Sequence, residues 1–161
     1  MGSNIGNFRR GDDEEFLQLL SKNLNKDDLL LIGFDLKKNP DLITSAYNDP
    51  HGITKEFNLN LLKRINRELD TNLDINNFMH YPNYDPVTGE AKSYLISLKE
   101  QSIELGGESI KLKYAEPIFV ELSQKYDIEM ISDLAQMSGF SMVNNFYDCK
   151  EYFVDSLWKV E

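Results

Sequence analysis

The chain has 161 residues, of which 27 are acidic and 17 basic, so its formal charge is −10 at neutral pH. A net negative surface repels phosphate backbones and anionic lipid headgroups, so we expect neither nucleic acid nor a membrane as a partner. With 41% hydrophobic and 27% charged residues, the composition is that of an ordinary globular protein, and its charge is compatible with small neutral or zwitterionic ligands.

The cysteine content and the lengths of the apolar runs indicate the cellular compartment. Cys149 is the single cysteine, which excludes an intrachain disulfide and is typical of a reducing environment. The first ten residues contain no apolar signal-peptide core, and the longest aliphatic run, residues 29–32, is too short to span a bilayer. We therefore expect a cytoplasmic protein.

The first part of the chain predicts a helix followed by a buried strand. Acidic residues at 12–15 precede apolar residues that recur at intervals of three and four, which predicts a helix that extends to about Leu24. The continuous apolar run that begins at Leu29 and ends at Phe34 has the length of a strand buried on both faces of a parallel sheet. This order favours an α/β fold.

The middle of the chain predicts two helices, a loop and two strands. A short helix is expected around residues 42–46, and a longer one from Thr54 to Leu69 with its apolar residues on one face. Residues 76–89 are rich in proline, asparagine and aspartate, so they are predicted to be mostly loop, with a turn at 86–89.

Alternating apolar residues predict two strands after this loop. The alternation covers residues 94–98 and 110–114, and Gly106 and Gly107 are expected to join these strands as a hairpin or meander.

The last third returns to helix and strand patterns. Residues 121–126 are ambiguous, whereas Asp127 can cap a helix that ends near Gly139. Residues 140–147 and 152–160 predict two antiparallel strands joined by a short turn.

Few residues suggest metal or nucleophilic chemistry. His51 and His80 are far apart in sequence, and neither has a carboxylate at metal-ligand spacing, so no metal centre is predicted. Cys149 has no neighbouring histidine that would lower the pKa of its thiol, which favours an inert surface residue.

Two segments are candidates for ligand contact. Gly2 and Gly6, separated by small polar residues and an isoleucine, would let the backbone approach a ligand, although an ordinary turn is the alternative. Their spacing differs from the G-x-G-x-x-G dinucleotide fingerprint. If the second segment is extended, Glu121 and Ser123 point the same way and present a carboxylate and a hydroxyl to one ligand edge; an exposed strand end is the alternative.

Five segments form a set in sequence order: Gly2-Ser3-Asn4-Ile5-Gly6-Asn7-Phe8, residues 32–40, residues 46–49 with 52–54, residues 57–62 with 64–69, and Val120-Glu121-Leu122-Ser123-Gln124-Lys125-Tyr126. Taken in this order, they resemble the S-adenosylmethionine (SAM)-dependent histidine Nα-methyltransferases of ergothioneine biosynthesis and their amino-acid-methylating relatives. The likeness covers nearly the whole chain but corresponds only to the C-terminal half of such an enzyme.

The resemblance implies an architecture. Residues 1–36 and 117–161 would form the C-terminal part of a class I, Rossmann-like methyltransferase core. Residues 37–116 would form an inserted α+β substrate-binding domain. The implied fold class is therefore α/β with an insertion.

The resemblance also implies substrate-binding residues. Asn7 would hold the amino and carboxylate groups of the substrate amino acid, with the loop from Gly2 beside it. Glu121 and Ser123 would hydrogen-bond the imidazole ring. Ser93 stands where the family often has a methionine that lines the pocket, so the implied acceptor is histidine or a related amino acid.

The implied reaction is transfer of a methyl group from SAM to a neutral amine, without a metal. The glycine-rich turn and the acidic residue of an adenosyl pocket are not found in the sequence, so we expect most of the SAM site to lie outside this chain and the isolated chain to be inactive. The strand at 29–34 would then be a sheet edge, which predicts a homodimer or an N-terminal half supplied by another chain. The alternative is a noncatalytic amino-acid-binding or protein-interaction module.

Overall fold

Two compact units make up the chain. A computed structural model describes residues 1–9 and 11–161. The first unit comprises Met1–Pro40, Asp85–Glu90 and Leu122–Glu161, and the second comprises Asp41–Tyr84 and Ala91–Glu121. The boundaries of an inserted domain at residues 37 and 116 stay a prediction.

Four α-helices and eight β-strands occur in the described residues. The helices are α1 (Asp12–Lys22), α2 (Pro40–Tyr47), α3 (Ile53–Leu69) and α4 (Ile128–Met137), with 3-10 turns at Ser3–Asn7 and Ile75–Asn77. The strands are β1 (Leu29–Asp35), β2 (Phe78–Tyr84), β3 (Glu90–Ser97), β4 (Gln101–Leu105), β5 (Glu108–Leu112), β6 (Pro117–Gln124), β7 (Phe140–Tyr147) and β8 (Phe153–Val160). None of the helices in these ranges is long and apolar enough to cross a membrane.

The first unit is built around the sheet β1-β8-β7. Strand β8 is antiparallel to both of its neighbours, so β1 and β7 run parallel to each other. Trp158 of β8 is fully buried, stacks on Phe34 of β1, and donates its indole N–H to Ser156 Oγ at 2.8 Å. Helices α1 and α4 add Leu17 and Ile131 to this core. The α/β organisation expected from the sequence is confirmed.

The expectation that β1 lies buried in a parallel sheet is wrong in two respects. Its sheet neighbour is the antiparallel β8, and its first half is open, with Leu29 and Leu31 exposed to 61% and 45%. Only the segment from Ile32 to Phe34 is fully buried, while Leu30 is partly buried against the core. An apolar run cannot distinguish these situations, because burial depends on which elements cover the strand.

The second unit combines the sheet β2-β3-β6 with α3. Leu59 and Leu62 of α3 pack with Phe78 of β2 and Leu95 of β3, and Val120 lies against this cluster. The amphipathic pattern of residues 54–69 correctly predicts this helix.

Residues 76–89 contain a strand, so their interpretation as mostly loop is wrong. Strand β2 pairs with β3 along its whole length, with His80 opposite Leu95 and Pro82 opposite Ser93. Proline is tolerated there because β2 is an edge strand and needs hydrogen bonds on one side only. The turn predicted at 86–89 does follow β2, and Asp85 Oδ1 accepts from Val87 N at 2.8 Å.

The predicted hairpin around Gly106 and Gly107 exists, but its first strand is β4 and not the predicted strand at residues 94–98. Gly106 and Gly107, both with positive φ, join β4 to β5, whereas residues 94–97 belong to β3 and pair with β2. The ambiguous residues 121–126 contain the last part of β6, which ends at Gln124.

Candidate functional site

The N-terminal segment packs against the end of β6. Its 3-10 turn buries Ile5 and Gly6 and leaves Gly2 and Asn7 exposed. A Cβ added to Gly6 would lie 2.8 Å from the Gln124 carbonyl oxygen, so glycine is needed for this close approach of two backbones. Tyr126 Oη donates to the Ile5 carbonyl oxygen at 3.4 Å, and burial raises the pKa of this hydroxyl.

This packing brings together two segments that the resemblance placed in one site. They carry Asn7 on one side and Ser123 on the other, and both belong to the first unit. The substrate-binding roles of Gly2, Asn7 and Ser123 stay predictions.

A buried lysine organises the end of β6. Lys125 is 3% exposed, and its ammonium lies 2.8 Å from Asp35 Oδ2, at the carboxyl end of β1. The same nitrogen donates to Ser123 Oγ at 2.7 Å. Lys38 binds the other oxygen of Asp35. A buried ammonium is tolerated where a carboxylate and further hydrogen bonds compensate its lost hydration, as these partners do.

The turn at 85–90 fixes the backbone beside Lys125. Lys125 N donates to the Gly89 carbonyl oxygen at 2.7 Å, and a Cβ at Gly89 would lie 2.3 Å from the Lys125 carbonyl oxygen. Gly89 also has a φ of +81°, which disfavours any other residue. Gln124 Nε2 adds a hydrogen bond to the Thr88 carbonyl oxygen at 2.8 Å. This turn therefore holds the segment that carries Ser123 and Lys125.

Glu121 belongs to the second unit and contacts α3. Asn58 is 5% exposed, and its Nδ2 donates to the Thr54 carbonyl oxygen at 3.0 Å and to Glu121 Oε2 at 3.5 Å. The amide thereby restrains the carboxylate that was expected to bind a substrate ring. Its substrate role stays a prediction.

His80 is a buried polar residue of the second unit that the sequence did not suggest. It is 9% exposed, and Nε2 has no hydrogen-bond partner among the described residues. Burial lowers the pKa of its imidazole, and the nearby Glu121 carboxylate partly opposes this shift. The neutral ring is therefore favoured.

A cavity of about 140 Å³ lies beside this imidazole. Its lining combines the acidic Asp49, the basic Lys55 and His80 with uncharged residues, namely Tyr47, Asn48, Pro50 and Gly52. Asp49 Oδ2 and Oδ1 accept from Ile53 N at 2.9 Å and Thr54 N at 2.8 Å, which lowers the pKa of Asp49 to about 2, chiefly through the bond from Thr54. The cavity thus presents both signs of charge to a small polar group.

Ser93 is fully buried on β3, opposite Pro82. Its hydroxyl has no hydrogen-bond partner within residues 1–9 and 11–161. A role for Ser93 in lining a substrate pocket stays a prediction.

Sequence reasoning missed His80, Asp49 and Lys125 for separate reasons. His80 lay in a segment interpreted as loop, although its alternation with Phe78 and Pro82 would have suggested a strand face. Asp49 follows the short helix predicted around residues 42–46, where it suits a helix end, while its spacing from Thr54 also suits a helix start. A single lysine at a strand end carries no signal of burial.

Comparisons with known proteins agree on one family. The family described as "Histidine-specific methyltransferase, SAM-dependent" matches residues 1–160. A histidine N-alpha-methyltransferase of Mycobacterium tuberculosis is 32% identical over 150 residues, which is 92% of this chain and 47% of that protein. Ergothioneine biosynthesis protein 1 of Schizosaccharomyces pombe is 31% identical over 91% of this chain and 19% of its own length. An L-tryptophan methyltransferase of Psilocybe serbica is 33% identical over 95% of this chain and 44% of its own length.

The chain therefore spans about half or less of these relatives. Among solved structures, the CcbJ methyltransferase from Streptomyces caelestis matches 99% of this chain and 58% of its own chain, with a TM-score of 0.50 and 8% identity. This likeness supports a Rossmann-like methyltransferase fold. The match over residues 1–160 shows that the chain belongs to the SAM-dependent, histidine-specific methyltransferase family.

Proposed function

We propose that this chain provides the acceptor-recognising part of a SAM-dependent methyltransferase that methylates the α-amino group of an amino acid, histidine or a related one. The observation that carries the proposal is the packing of Gly6 against Gln124, which joins the segment of Asn7 to that of Ser123. The named relatives support it, because they are methyltransferases of histidine and of tryptophan. The alternative, a noncatalytic module, is less favoured for the same reason.

Each candidate residue has a chemically suitable role. The Asn7 side chain carries an amide oxygen that accepts from an amine and an amide nitrogen that donates to a carboxylate, so one residue can bind both ends of an amino-acid backbone. The open backbone at Gly2 would flank it. Ser123, in the same unit as Asn7, would bind the side chain of the acceptor. The substrate roles of Glu121 and Ser93, which belong to the second unit, stay as the resemblance implies them.

The reaction depends on orientation. When bound, SAM would supply an electrophilic methyl group for the neutral amine of the acceptor. Fixing the acceptor at the correct angle and distance contributes up to about 7–11 kcal/mol in favourable cases. The residues of this chain would provide that fixation by hydrogen bonds at both ends of the amino acid.

Asp35 does not fit a role in holding SAM. It is the acidic residue at the carboxyl end of β1, where α/β folds bind ligands, but its two carboxylate oxygens are paired with Lys38 and Lys125. We infer that most of the SAM site is supplied by residues outside this chain. Calorimetric titration of the chain with SAM is then expected to show no micromolar binding, and micromolar binding would contradict this inference.

We also infer that another polypeptide segment pairs with the outer edge of β1, either from a second copy or from an N-terminal half. Met1 N donates to the Leu31 carbonyl oxygen, and Gly33 N donates to the Met1 carbonyl oxygen at 3.1 Å. This is the hydrogen-bond pattern of a parallel bridge centred on Ile32. The exposed Leu29 and Leu31 lie along the same strand and would be covered by such a partner.

Nuclear magnetic resonance tests the acceptor site directly. Addition of L-histidine is expected to shift the side-chain amide resonances of Asn7 and the backbone resonances of Ser123. Asn4 is the matched control, because it is an exposed asparagine in the same 3-10 turn. Shifts confined to Asn4, or no shifts at saturating histidine, would contradict the proposal.

A further inference from the structure

One face of the sheet β1-β8-β7 is apolar at its centre and open to solvent. The core cluster lies on the other face, where Ile32, Phe34 and Trp158 pack with residues of α1 and α4. Side chains alternate between the two faces along each strand, so Leu29 and Leu31 point away from this core. They are exposed to 61% and 45%. The open face, as we call it, consists of Leu29, Leu31, Phe146, Asp155, Leu157 and Lys159.

Strand register places opposite charges on the two sides of an apolar centre. Leu157, in the central strand β8, lies opposite Leu31 of β1. Lys159 follows Leu157 by two residues and Asp155 precedes it by two, so each is about 7 Å from Leu157 along the strand. Phe146 of β7 lies opposite Asp155 and is 53% exposed. The open face therefore has a cation and a carboxylate at equal distances from Leu157.

Both charges are available to a partner. Lys159 Nζ lies 3.4 Å from Asp27 Oδ1, but both side chains of this pair are largely exposed, so the pair contributes little. An ammonium has three N–H donors and can bind a second carboxylate as well. No ion pair joins Asp155 to a cation within residues 1–9 and 11–161. A surface that brings a cation to Asp155 and a carboxylate to Lys159 would complement the open face.

The open face itself has this complementary arrangement. A two-fold axis that lies in the plane of contact, crosses the strands and passes at Leu157 reverses the strand direction. Leu157 then meets the partner's Leu157, Lys159 meets the partner's Asp155, and Asp155 meets the partner's Lys159. Sheets that pack face to face keep their strands within about 30° of each other, which preserves this order of contacts.

We propose that the open face is an interface at which a second copy of this chain packs face to face. The charge complementarity across the two-fold axis selects a second copy as the occupant, because a single surface supplies both halves of each ion pair. This interface goes beyond the proposed function and does not depend on it.

The open face is a different surface from the outer edge of β1. Leu31 contributes its backbone to that edge and its side chain to the open face, so variants of Leu31 affect both surfaces. Asp155 and Lys159 lie on β8, the central strand, which has no outer edge. Substitutions of these two residues therefore test the open face separately from the edge.

Charge reversal tests the interface by sedimentation velocity over a range of concentrations. At about 0.15 M salt, the repulsion between two copies of net charge −10 is screened beyond about 8 Å. The wild-type chain is expected to dimerise. Lys159→Asp and Asp155→Lys each place like charges opposite each other at two positions, so each should weaken association about tenfold or more. Lys111→Asp is the matched control, because Lys111 is exposed on β5 in the second unit and the change in net charge equals that of Lys159→Asp.

Mixing the two variants restores the complementarity. In a mixed dimer of Lys159→Asp with Asp155→Lys, every facing pair is again a lysine and a carboxylate. The mixture should dimerise with a dissociation constant within about threefold of the wild type, and this recovery also shows that both variants are folded.

A mixture that associates as weakly as its separate components would overturn the inference. A wild-type chain that stays monomeric up to about 1 mM would also overturn it and would leave the open face to a segment of another polypeptide. Wild-type association that neither variant weakens would place the contact elsewhere, such as at the edge of β1, and would overturn this interface while the proposed function stands. Failure of histidine to bind would overturn the proposed function and leave the interface intact.

Discussion

On β3, two serines four positions apart are both buried but differ in their hydrogen bonds. Ser97 Oγ donates to the Lys99 carbonyl oxygen at 2.8 Å and accepts from Gln101 Nε2 at 2.7 Å, whereas Ser93 Oγ has no partner among the described residues. An unpaired buried hydroxyl destabilises the fold, because it has lost its bonds to water.

Ser93→Ala is therefore expected to raise the free energy of unfolding by about 1 kcal/mol, and Ser97→Ala to lower it by about 1–3 kcal/mol. Urea denaturation followed by circular dichroism measures both. The two variants remove the same atom from similarly buried positions, so each is the control for the other. A Ser93→Ala protein that is less stable than the wild type would contradict the assignment of an unpaired hydroxyl.

His80 gives the stability of the chain a dependence on pH. Burial lowers the pKa of its imidazole below the ordinary 6.5, with a contribution from Lys55 in the same direction and opposing contributions from Glu121 and Asp49. The unfolded chain therefore binds this proton first as the pH falls. The stability that the neutral imidazole contributes is fully present above about pH 6.5 and is lost progressively below it.

The expected result is a smaller loss of stability for His80→Asn than for the wild type between about pH 7.5 and pH 5.5. Urea midpoints at the two pH values measure it. His51→Asn is the control, because His51 is exposed and should leave the difference unchanged. An identical pH dependence in His80→Asn and the wild type would show that His80 is not the responsible group.

At the scale of residues, the sequence alone was a partial guide. Asn7, Glu121 and Ser123 were proposed as candidates because they occur in a motif order that resembles a family. Lys125 and His80 were not, because the importance of each depends on its surroundings in the fold: an ion pair with Asp35 for one, and burial on β2 for the other. Contacts between residues about ninety positions apart leave no local pattern.

At the scale of elements, the start of α4 is a testable feature. Asp127 caps the helix, with its Oδ1 accepting from Met130 N at 2.9 Å and its Oδ2 contacting Lys37 Nζ at 2.9 Å. These bonds, the backbone bond first, lower the pKa of the carboxyl group. The capping contribution is therefore fullest at neutral pH.

Asp127→Ala is expected to lower the free energy of unfolding by about 1 kcal/mol. Asp127→Asn should retain most of that stability at neutral pH, because the asparagine side-chain oxygen still accepts from Met130 N and a partly exposed ion pair with Lys37 contributes little. Thermal unfolding of the three proteins provides the comparison. Equal losses in both variants would indicate that the ion pair, and not the cap, stabilises α4.

Helices were the elements that the sequence predicted best. The periodic apolar faces of α1, α3 and α4 are local properties, and all three helices are confirmed. Strand β2 was missed because Pro82 and the neighbouring asparagine suggest a turn, while the position at a sheet edge that tolerates them is a property of the tertiary structure. The secondary structure of the end of β6 was ambiguous in the sequence. In the structure, burial is intermediate at every residue from Val120 to Gln124, so a buried face does not alternate with an exposed one.

At the scale of the whole molecule, the outer edge of β1 predicts that the chain associates with another polypeptide. The hydrogen bonds of Met1 show that Leu31 and Gly33 direct their backbone groups away from β8. We expect the chain to sediment as a species larger than a monomer, or to associate with a separately expressed N-terminal half.

Leu31→Pro removes the outward N–H of that edge and should abolish association, while Leu31→Ala keeps the N–H and should weaken association less. Analytical ultracentrifugation measures both. A wild-type chain that remains monomeric at high concentration, and that does not bind an N-terminal half, would contradict the inference that another polypeptide pairs with the edge of β1.

The central claim is that this chain recognises the amino acid that is to be methylated. Calorimetric titration of the wild-type chain with L-histidine and with L-tryptophan tests it most directly. The account predicts saturable binding of one ligand per chain, with histidine preferred and with the binding lost in an Asn7→Ala, Ser123→Ala double variant that remains folded. Absence of binding by the wild type, or undiminished binding by the double variant, would contradict it.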